Sequence, residues 1–346
     1  MKFYDYIVNK KLVSIIIFIF LVSILCIGCS ADTSQEQEIP QEELNETQVK
    51  QQSDIFPNKP ITIMTGYKAG SVTDLGLRLL VPYLEEELGQ RITVLNKPGG
   101  GGWIAWNELA KAEPDGYTLS VVNAPNFHTG YLNPELKRDY TVRDFDFIAN
   151  HVLDPSAISV RIDSEFNSID DIVNYAREHP NELSITTTGP ATDDHIMALM
   201  LENYADAKFN IVHCEGGNES VQQVLGGHID ILCENVGGVM VPLMSKEVKM
   251  LGVATEERNV LVPDVPTLKE QGYDFVTQSA RGIATPKGIP DDIKEILANA
   301  FEKAMNNPEH IEKMKEIGLT VEYLGPDEYT KFMYNQEKAV EELLIW

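Results

Sequence analysis

The sequence predicts an α/β protein of two lobes with a cleft between them, and three observations predict it. Short apolar runs alternate with helix-length amphipathic runs from about residue 60 onwards, the rhythm of a largely parallel sheet covered by helices. The runs fall into two sets, one before about 150 and after about 265, the other between, so the chain crosses to a second lobe and returns. Glycine and hydroxyl residues mark the strand-to-helix junctions, at the carboxyl ends of strands where open α/β sheets hold ligands.

In chain order, Ile61–Thr65 is a short apolar strand. A helix over about 73–88 places Leu75, Leu79, Leu80, Leu84 and Leu88 on one face. Ile92–Leu95 is a second strand, followed by Pro98 and the glycine run 99–102. A helix over about 103–112 leads to a third strand, Tyr117–Val122. In the second set Ala157–Val160, Ser184–Thr187, Phe209–His213 and Ile229–Glu234 read as strands, with helices near 168–178, 192–205 and 217–226. A strand-like run near 281–285 precedes helices near 290–304, 307–317 and 326–343. The loops at 66–73, 123–127 (with Asn123 at its head), 188–192 and 214–218 thus lie at strand ends.

The amino terminus reads as a targeting segment. Lys10 and Lys11 precede an apolar run over 12–27, and Gly28 stands directly before Cys29. The segment resembles a bacterial lipobox, with Cys29 the lipidated residue; an uncleaved anchor is the alternative. Residues 30–55 are rich in Gln and Glu and hold no aromatic residue, so they read as a disordered tether. The expected organisation is a signal peptide over 1–29, a tether over 30–55, one lobe over 56–150 plus 265–346, and a second over 151–264. The folded part is expected outside the cytoplasm, lipid-anchored to the cell membrane.

With 28 Lys and Arg against 53 Asp and Glu, the chain carries a formal charge of −25, which argues against nucleic acid as a partner. It does not exclude a small anionic ligand. A charge ~20 Å away is worth only ~0.2 kcal/mol in water before screening. One hydrogen bond to an ionised group is worth ~1.5–3 kcal/mol. Local donors therefore decide. Cys214 and Cys233 have neither metal-ligand nor C-x-x-C spacing and read as buried free thiols, with a disulfide as the alternative.

The segment Gly66-Tyr67-Lys68-Ala69-Gly70-Ser71-Val72-Thr73-Asp74 is the first candidate binding loop. It aims the free N–H groups of a helix start at whatever sits above the turn. Ser71 and Thr73 offer hydroxyls, and Asp74 complements the helix dipole or caps the amides. A well-capped helix with no ligand is the alternative. The loop Thr186–His195 repeats the design with Thr187, Gly189 and Thr192. Two such loops facing one another would grip one anion from both sides. Asp193, Asp194 and His195 tempt a metal or catalytic reading, but adjacent helical residues diverge and no i, i+4 ligand set is present. His195 reads as a cleft-wall donor. The run Gly99–Gly102 is not a dinucleotide fingerprint, and neither a P-loop nor a G-x-S-x-G elbow occurs. No cofactor, metal or catalytic residue is expected.

Taken in order, these segments resemble the extracytoplasmic solute-binding proteins of tripartite tricarboxylate transporters, the Bug family. The resemblance runs from about Phe56 to Tyr334. It rests on Lys59-Pro60-Ile61 through Gly70 to Asp74, Asn96-Lys97-Pro98 with Gly99–Gly102, Pro114–Leu119, Gly189 with His195, Leu225–Asp230, and Pro263–Thr267. It implies a type II periplasmic-binding-protein fold with two crossovers and a central cleft. It implies capture of a small carboxylate, a di- or tricarboxylate or related organic anion, and delivery to a large and a small membrane subunit. Carried onto this chain, the family's loops give Tyr67, Ala69, Gly70, Ser71, Val72, Thr73 and Asp74, then Thr187, Gly189, Thr192 and His195. The chain departs from the family where Ser279-Ala280-Arg281-Gly282 lacks the usual aromatic and where Lys68 enters the first loop. Arg281 is expected to clamp a carboxylate and Lys68 to add a point charge, unless both are solvent-facing cations. The same lobe pair presenting its closed form to a membrane sensor kinase is the competing reading.

Overall fold

The computed structural model describes residues 56–343. The expected signal peptide, the lipidation at Cys29 and the tether over 30–55 lie outside the described residues.

Strand β1 (Ile61–Thr65) lies between β2 (Ile92–Asn96) and β3 (Thr118–Ala124), parallel to both. Helix α1 (Val72–Leu88) connects β1 to β2, and α2 (Trp103–Leu109) leads towards β3. Ser71 caps α1 by accepting from the Asp74 N–H, and Gly89 ends it with φ 63°. The buried face carries Leu77, Leu80, Leu84 and Leu88. Leu75, expected in that stripe, is 42 % exposed. The stripe that packs inward is Leu77, Leu80, Leu84 and Leu88, at spacings of three and four, and Leu75 lies off it.

The strand the sequence reading found at 157–160 is far longer. β4 (Phe145–Arg161) has 17 residues. Its first part, Phe145–Pro155, pairs antiparallel with β9 (Gln278–Pro286). Its last part, Ser156–Arg161, pairs with β7 (Ile231–Asn235) and β8 (Val248–Val253). Asn150, His151 and Asp154 interrupt the apolar pattern, which hides the strand from periodicity. All three are buried on distant partners. Asn150 donates to the Glu322 carbonyl at 2.7 Å, the rings of His151 and His310 share a hydrogen bond of 2.8 Å, and Asp154 meets Arg281 at 2.7 Å.

Beyond β7 the sheet continues through β5 (Ser184–Thr187) to the edge strand β6 (Asn210–His213), in the order β2-β1-β3-β9-β4-β7-β5-β6. β8 and β10 (Val321–Leu324) both pair with β4. β4 and β9 therefore carry the sheet from one strand set to the other. The flanking helices are α3 (Asn126–Leu132), α4 (Ile169–Glu178), α5 (Asp193–Ala205), α6 (Gly217–Leu225), α7 (Val236–Met244), α8 (Asp291–Met305), α9 (Pro308–Glu316) and α10 (Pro326–Leu343). Sequence reading missed α3, α7, β8 and β10, and α2 stops at Leu109 rather than near 112. α7 starts directly at the end of β7 with no loop and holds Gly237, Gly238 and Pro242, so no local start signal marks it. Cys214 and Cys233 are free and buried.

Where the two strand sets join, packing leaves no slack. A Cβ on Gly282, in β9, would lie 2.4 Å from the Tyr329 ring and 2.6 Å from the Ala149 carbonyl. One contact is a fully buried aromatic and the other is backbone, so neither can yield. Gly282→Ala is expected to cost about 1–3 kcal/mol, the range for overpacking a core. A urea midpoint equal to that of the parent protein would contradict this packing.

Candidate functional site

Four loops converge at the strand ends, namely 66–71, 123–127, 188–192 and 214–218. The first is held from below. Asp74, nearly fully buried, accepts from the Gly70 N–H at 2.9 Å, from Arg78 Nε at 3.0 Å and from Asn96 Nδ2 at 2.8 Å. Burial would raise this carboxyl, but those donors outweigh it and hold the group below the usual range. Asp74 thus spends its oxygens on the loop itself. Gly70 turns the chain at φ 79°, open on its Cβ side. Ala69 and Gly70 are exposed. The N–H groups of Val72 and Thr73, at the open end of α1, have no acceptor among the described residues. Gly66 is pinned against the glycine run: a Cβ there would sit 2.4 Å from Gly102 Cα.

The second loop turns at Gly189 (φ 130°) and Ala191 (φ 61°), and Thr192 caps α5 by accepting from the His195 N–H. His195 Nδ1 accepts from the Ala191 N–H at 3.0 Å, and its ring stands edge-on to His213 with centroids 4.9 Å apart. Burial, then the neighbouring His213, push the His195 imidazole down to about 4, so it is a neutral ring at neutral pH. Thr187 Oγ1 bonds His213 Nδ1 at 2.6 Å.

The loops touch one another through side chains. Lys68 Nζ pairs with Glu215 at 2.7 Å, and Asn218 Nδ2 donates to the Gly70 carbonyl at 3.4 Å. The Thr129 hydroxyl donates to the Ala191 carbonyl. Asn126 Oδ1 accepts from the Asp193 N–H at 2.9 Å, while its Nδ2 donates to the Tyr67 hydroxyl at 3.2 Å.

Beneath these contacts runs a buried polar chain. Asp193 accepts from Asn235 Nδ2 at 2.8 Å, Asn235 Oδ1 accepts from Arg281 at 3.0 Å, and Arg281 pairs with Asp154, which also accepts from the Gly237 N–H at 3.0 Å. One hydrogen-bonded path thus links Tyr67 in the first loop to the crossing strands β9 and β4. Arg281, expected to face a carboxylate ligand, is only 4 % exposed, and both terminal nitrogens are taken by the chain's own groups. Among the described residues its Nε has no partner, and neither has Asn123 Oδ1, which stands directly opposite on β3. A cavity of about 10 Å³, room for a single water, lies between Arg281, His151 and the first turn of α1.

The electrostatics of the cluster are dominated by burial. Glu234 is pushed up to about 8 by burial, with Asp193 and Asp154 adding to the effect. Asp194 is raised well above the carboxylate range by burial and then by Asp193 and Glu234. Burial raises Asp154 even beside the guanidinium. Tyr67 is raised by burial and then by Asp193. On Arg281 burial works the other way, but Asp154 outweighs it and keeps the cation charged.

The structure brings the two expected loops together, with Tyr67, Asn123 and Arg281 close to their meeting point. Lys68 sits at the rim, and Ser71 and Thr192 act as helix caps. Sequence reading missed Asp154, Asn126, Thr129, Glu234 and Asn235. Polar residues inside an apolar strand, as at Asp154 and Glu234, were the one available signal. Asp193 and Asp194 do diverge as expected of helical neighbours, one to Asn235 and the other to Thr188.

The family profile described as "Tripartite tricarboxylate transporter family receptor" matches residues 77–345. A UPF0065 protein of Cupriavidus necator is 31% identical over 296 residues, covering 85% of this chain and 90% of its own length. Protein BugT of Bordetella pertussis is 26% identical over 288 residues, covering 82% and 88%. Among solved structures, MatC of Rhodopseudomonas palustris with bound malate superposes with a TM-score of 0.77 at 25% identity, over 83% of this chain and 99% of MatC. The curled mixed sheet is thus that of periplasmic binding proteins, and the chain belongs to the tripartite tricarboxylate transporter family of solute receptors.

Proposed function

We propose that this chain is an extracytoplasmic receptor, lipid-anchored at Cys29, that captures a small carboxylate and delivers it to the large and small membrane subunits of a tripartite transporter. The observation that carries the reading is the open end of α1, where the Val72 and Thr73 amides have no acceptor among the described residues, beside a loop that Glu215 and Asn218 reach across to bond. Donors of that kind suit a carboxylate oxygen. The malate held by MatC supports the ligand class.

On this reading the lobes are 56–150 plus 265–346 and 151–264, and β4 and β9 form the hinge. The bonds from Asn126, Thr129, Lys68 and Asn218 across the cleft are the ones a ligand parts on entry and shares on closure. A ligand touching both lobes only when they are closed shifts the population towards that state.

A thermal-shift screen of small carboxylates tests the reading. A ligand at ~100 times its dissociation constant should stabilise the protein by ~2.7 kcal/mol. A screen in which no carboxylate moves the melting temperature would sink it. At the rim, Lys68→Glu should weaken ligand affinity a few-fold at most, because the pair is exposed, and adding Glu215→Lys should restore it. Unequal affinities of the double variant and the parent would show that the pair does not bridge the closed cleft.

A further inference from the structure

The sheet ends on a strand with one open side. Among the described residues β6 pairs only with β5, in parallel. The Asn210 N–H donates to the Leu183 carbonyl and the Cys214 N–H to the Thr187 carbonyl, each at 2.8 Å. A parallel ladder uses alternate residues, so the N–H and C=O groups of Ile211 and His213 point away from β5. The strand is short, but it holds no Lys, Pro or bulge of the kind that blunts an exposed edge.

A groove of about 380 Å³ lies against this edge. Asn210, Val212 and Cys214, which alternate onto one face of β6, form its floor, and α6 forms a wall through Glu219 and Gln223. A volume of that size suits a bound ligand or side chains. β6 is three strands away from the crossing strand β4, so the groove belongs to the outer margin of the second strand set. Its charged lining is acidic: Glu182 stands at one end and Glu219 at the other, and no Lys or Arg lines it. Glu219 accepts from the Glu215 N–H at 2.8 Å, and Glu182 lies 3.6 Å from His179 Nδ1. Neither carboxylate pairs with a Lys or Arg among the described residues.

We propose that the edge of β6 is a docking site for an extended segment of a partner protein that adds a strand to the sheet and carries Lys or Arg at alternate positions. The added strand bonds the outward N–H and C=O groups of Ile211 and His213, which supplies affinity without regard to sequence. Its side chains alternate, so every second one enters the groove over α6, where Glu182 and Glu219 select a cation. The formal charge of −25 draws a basic segment to the surface from a distance. A second copy of this chain fits less well, because two such edges paired about a two-fold axis bring their acids together. The site lies apart from the cleft and does not depend on the receptor reading.

Two pools of labelled heptapeptides test this on the purified full chain. One has Lys at the second, fourth and sixth positions and mixed residues elsewhere, and the other has Glu at those three positions. Fluorescence polarisation should show the Lys pool binding about tenfold or more tightly, as expected when exposed pairs change from repulsion to attraction. Hydrogen exchange at the Ile211 and His213 amides should slow when the Lys pool is added. Ile211→Pro removes an outward N–H and spares the β5 ladder, so it should keep the fold and lose the peptide. Glu182→Lys with Glu219→Lys, both on the surface, should reverse the preference between the pools whether or not the proline variant folds. Equal binding of the two pools, or unchanged exchange at both amides, would overturn the proposal. Dimerisation of the parent that the proline variant abolishes would assign the edge to a second copy and overturn it as well.

Discussion

Arg281→Ala is expected to destabilise the protein by about 3–5 kcal/mol, the usual cost of removing one partner from a buried ion pair. Arg281 is 4 % exposed, and its guanidinium joins β9 to Asp154 of β4 and to Asn235, the last residue of β7. Without it Asp154 keeps its place among Asp193 and Glu234 with no cation near, and Asn235 loses the donor to its Oδ1. Adding Asp154→Asn removes the stranded charge and should return part of the loss. A double-mutant cycle by urea unfolding should thus show an interaction energy of about 0.5–3 kcal/mol. If Arg281→Ala unfolds at the parent's midpoint, the pair is not what joins the two strand sets. The effect of this variant on ligand affinity has to be read at a temperature where it stays folded, because Arg281 serves the fold before it serves a ligand.

Glu234→Gln is expected to be more stable than the parent at pH 8 and to lose that advantage near pH 5. Burial raises the Glu234 carboxyl from 4.5 to about 8. Between those values the folded state holds a proton that the unfolded chain releases. Stability from this group is therefore complete below the unfolded value and is lost as pH climbs through the folded one. Every tenfold difference in proton affinity between the two states is worth about 1.4 kcal/mol, so the loss amounts to several kcal/mol across that window. Glutamine cannot ionise and keeps an oxygen for the Asn235 N–H that Glu234 now accepts at 3.0 Å. Asp193, Asp154 and Arg281 all act on this carboxyl, and Glu234 in turn raises Asp194. Neutral buried histidines work in the opposite sense. His128, His195 and His310 are lowered to about 4, so their contribution is lost as pH falls from 6.5 towards that value. Both proteins share those histidines, so their effect cancels in the difference. Urea unfolding of both proteins at pH 5 and pH 8 measures it, and identical pH slopes would contradict the assigned environment of Glu234.

Most helices and the strands of the parallel units were legible in the sequence, because each carries its own period and its own stop. Ser184–Thr187 and the helix over 326–343 have the observed bounds, and Ser71 with Gly89 punctuates α1. The crossing strand β4 was not legible beyond its apolar end. Its polar residues are buried only because His310, Glu322 and Arg281 arrive from far along the chain. The burial of Arg281 was not legible for the same reason: a lone cation beside a glycine reads as exposed or ligand-facing until its partners, Asp154 and Asn235, are known.

The sequence by itself determined the α/β alternation, the two capped loops and the family likeness, since these rest on short-range periodicity, turn chemistry and the order of local motifs. Only the tertiary structure decided which charges are buried together. Asp154, Asp193, Asp194, Glu234 and Arg281 lie up to 127 residues apart, as Asp154 and Arg281 do. Their proton affinities and partners depend on burial and on distance through space, and neither is written in a local run of residues.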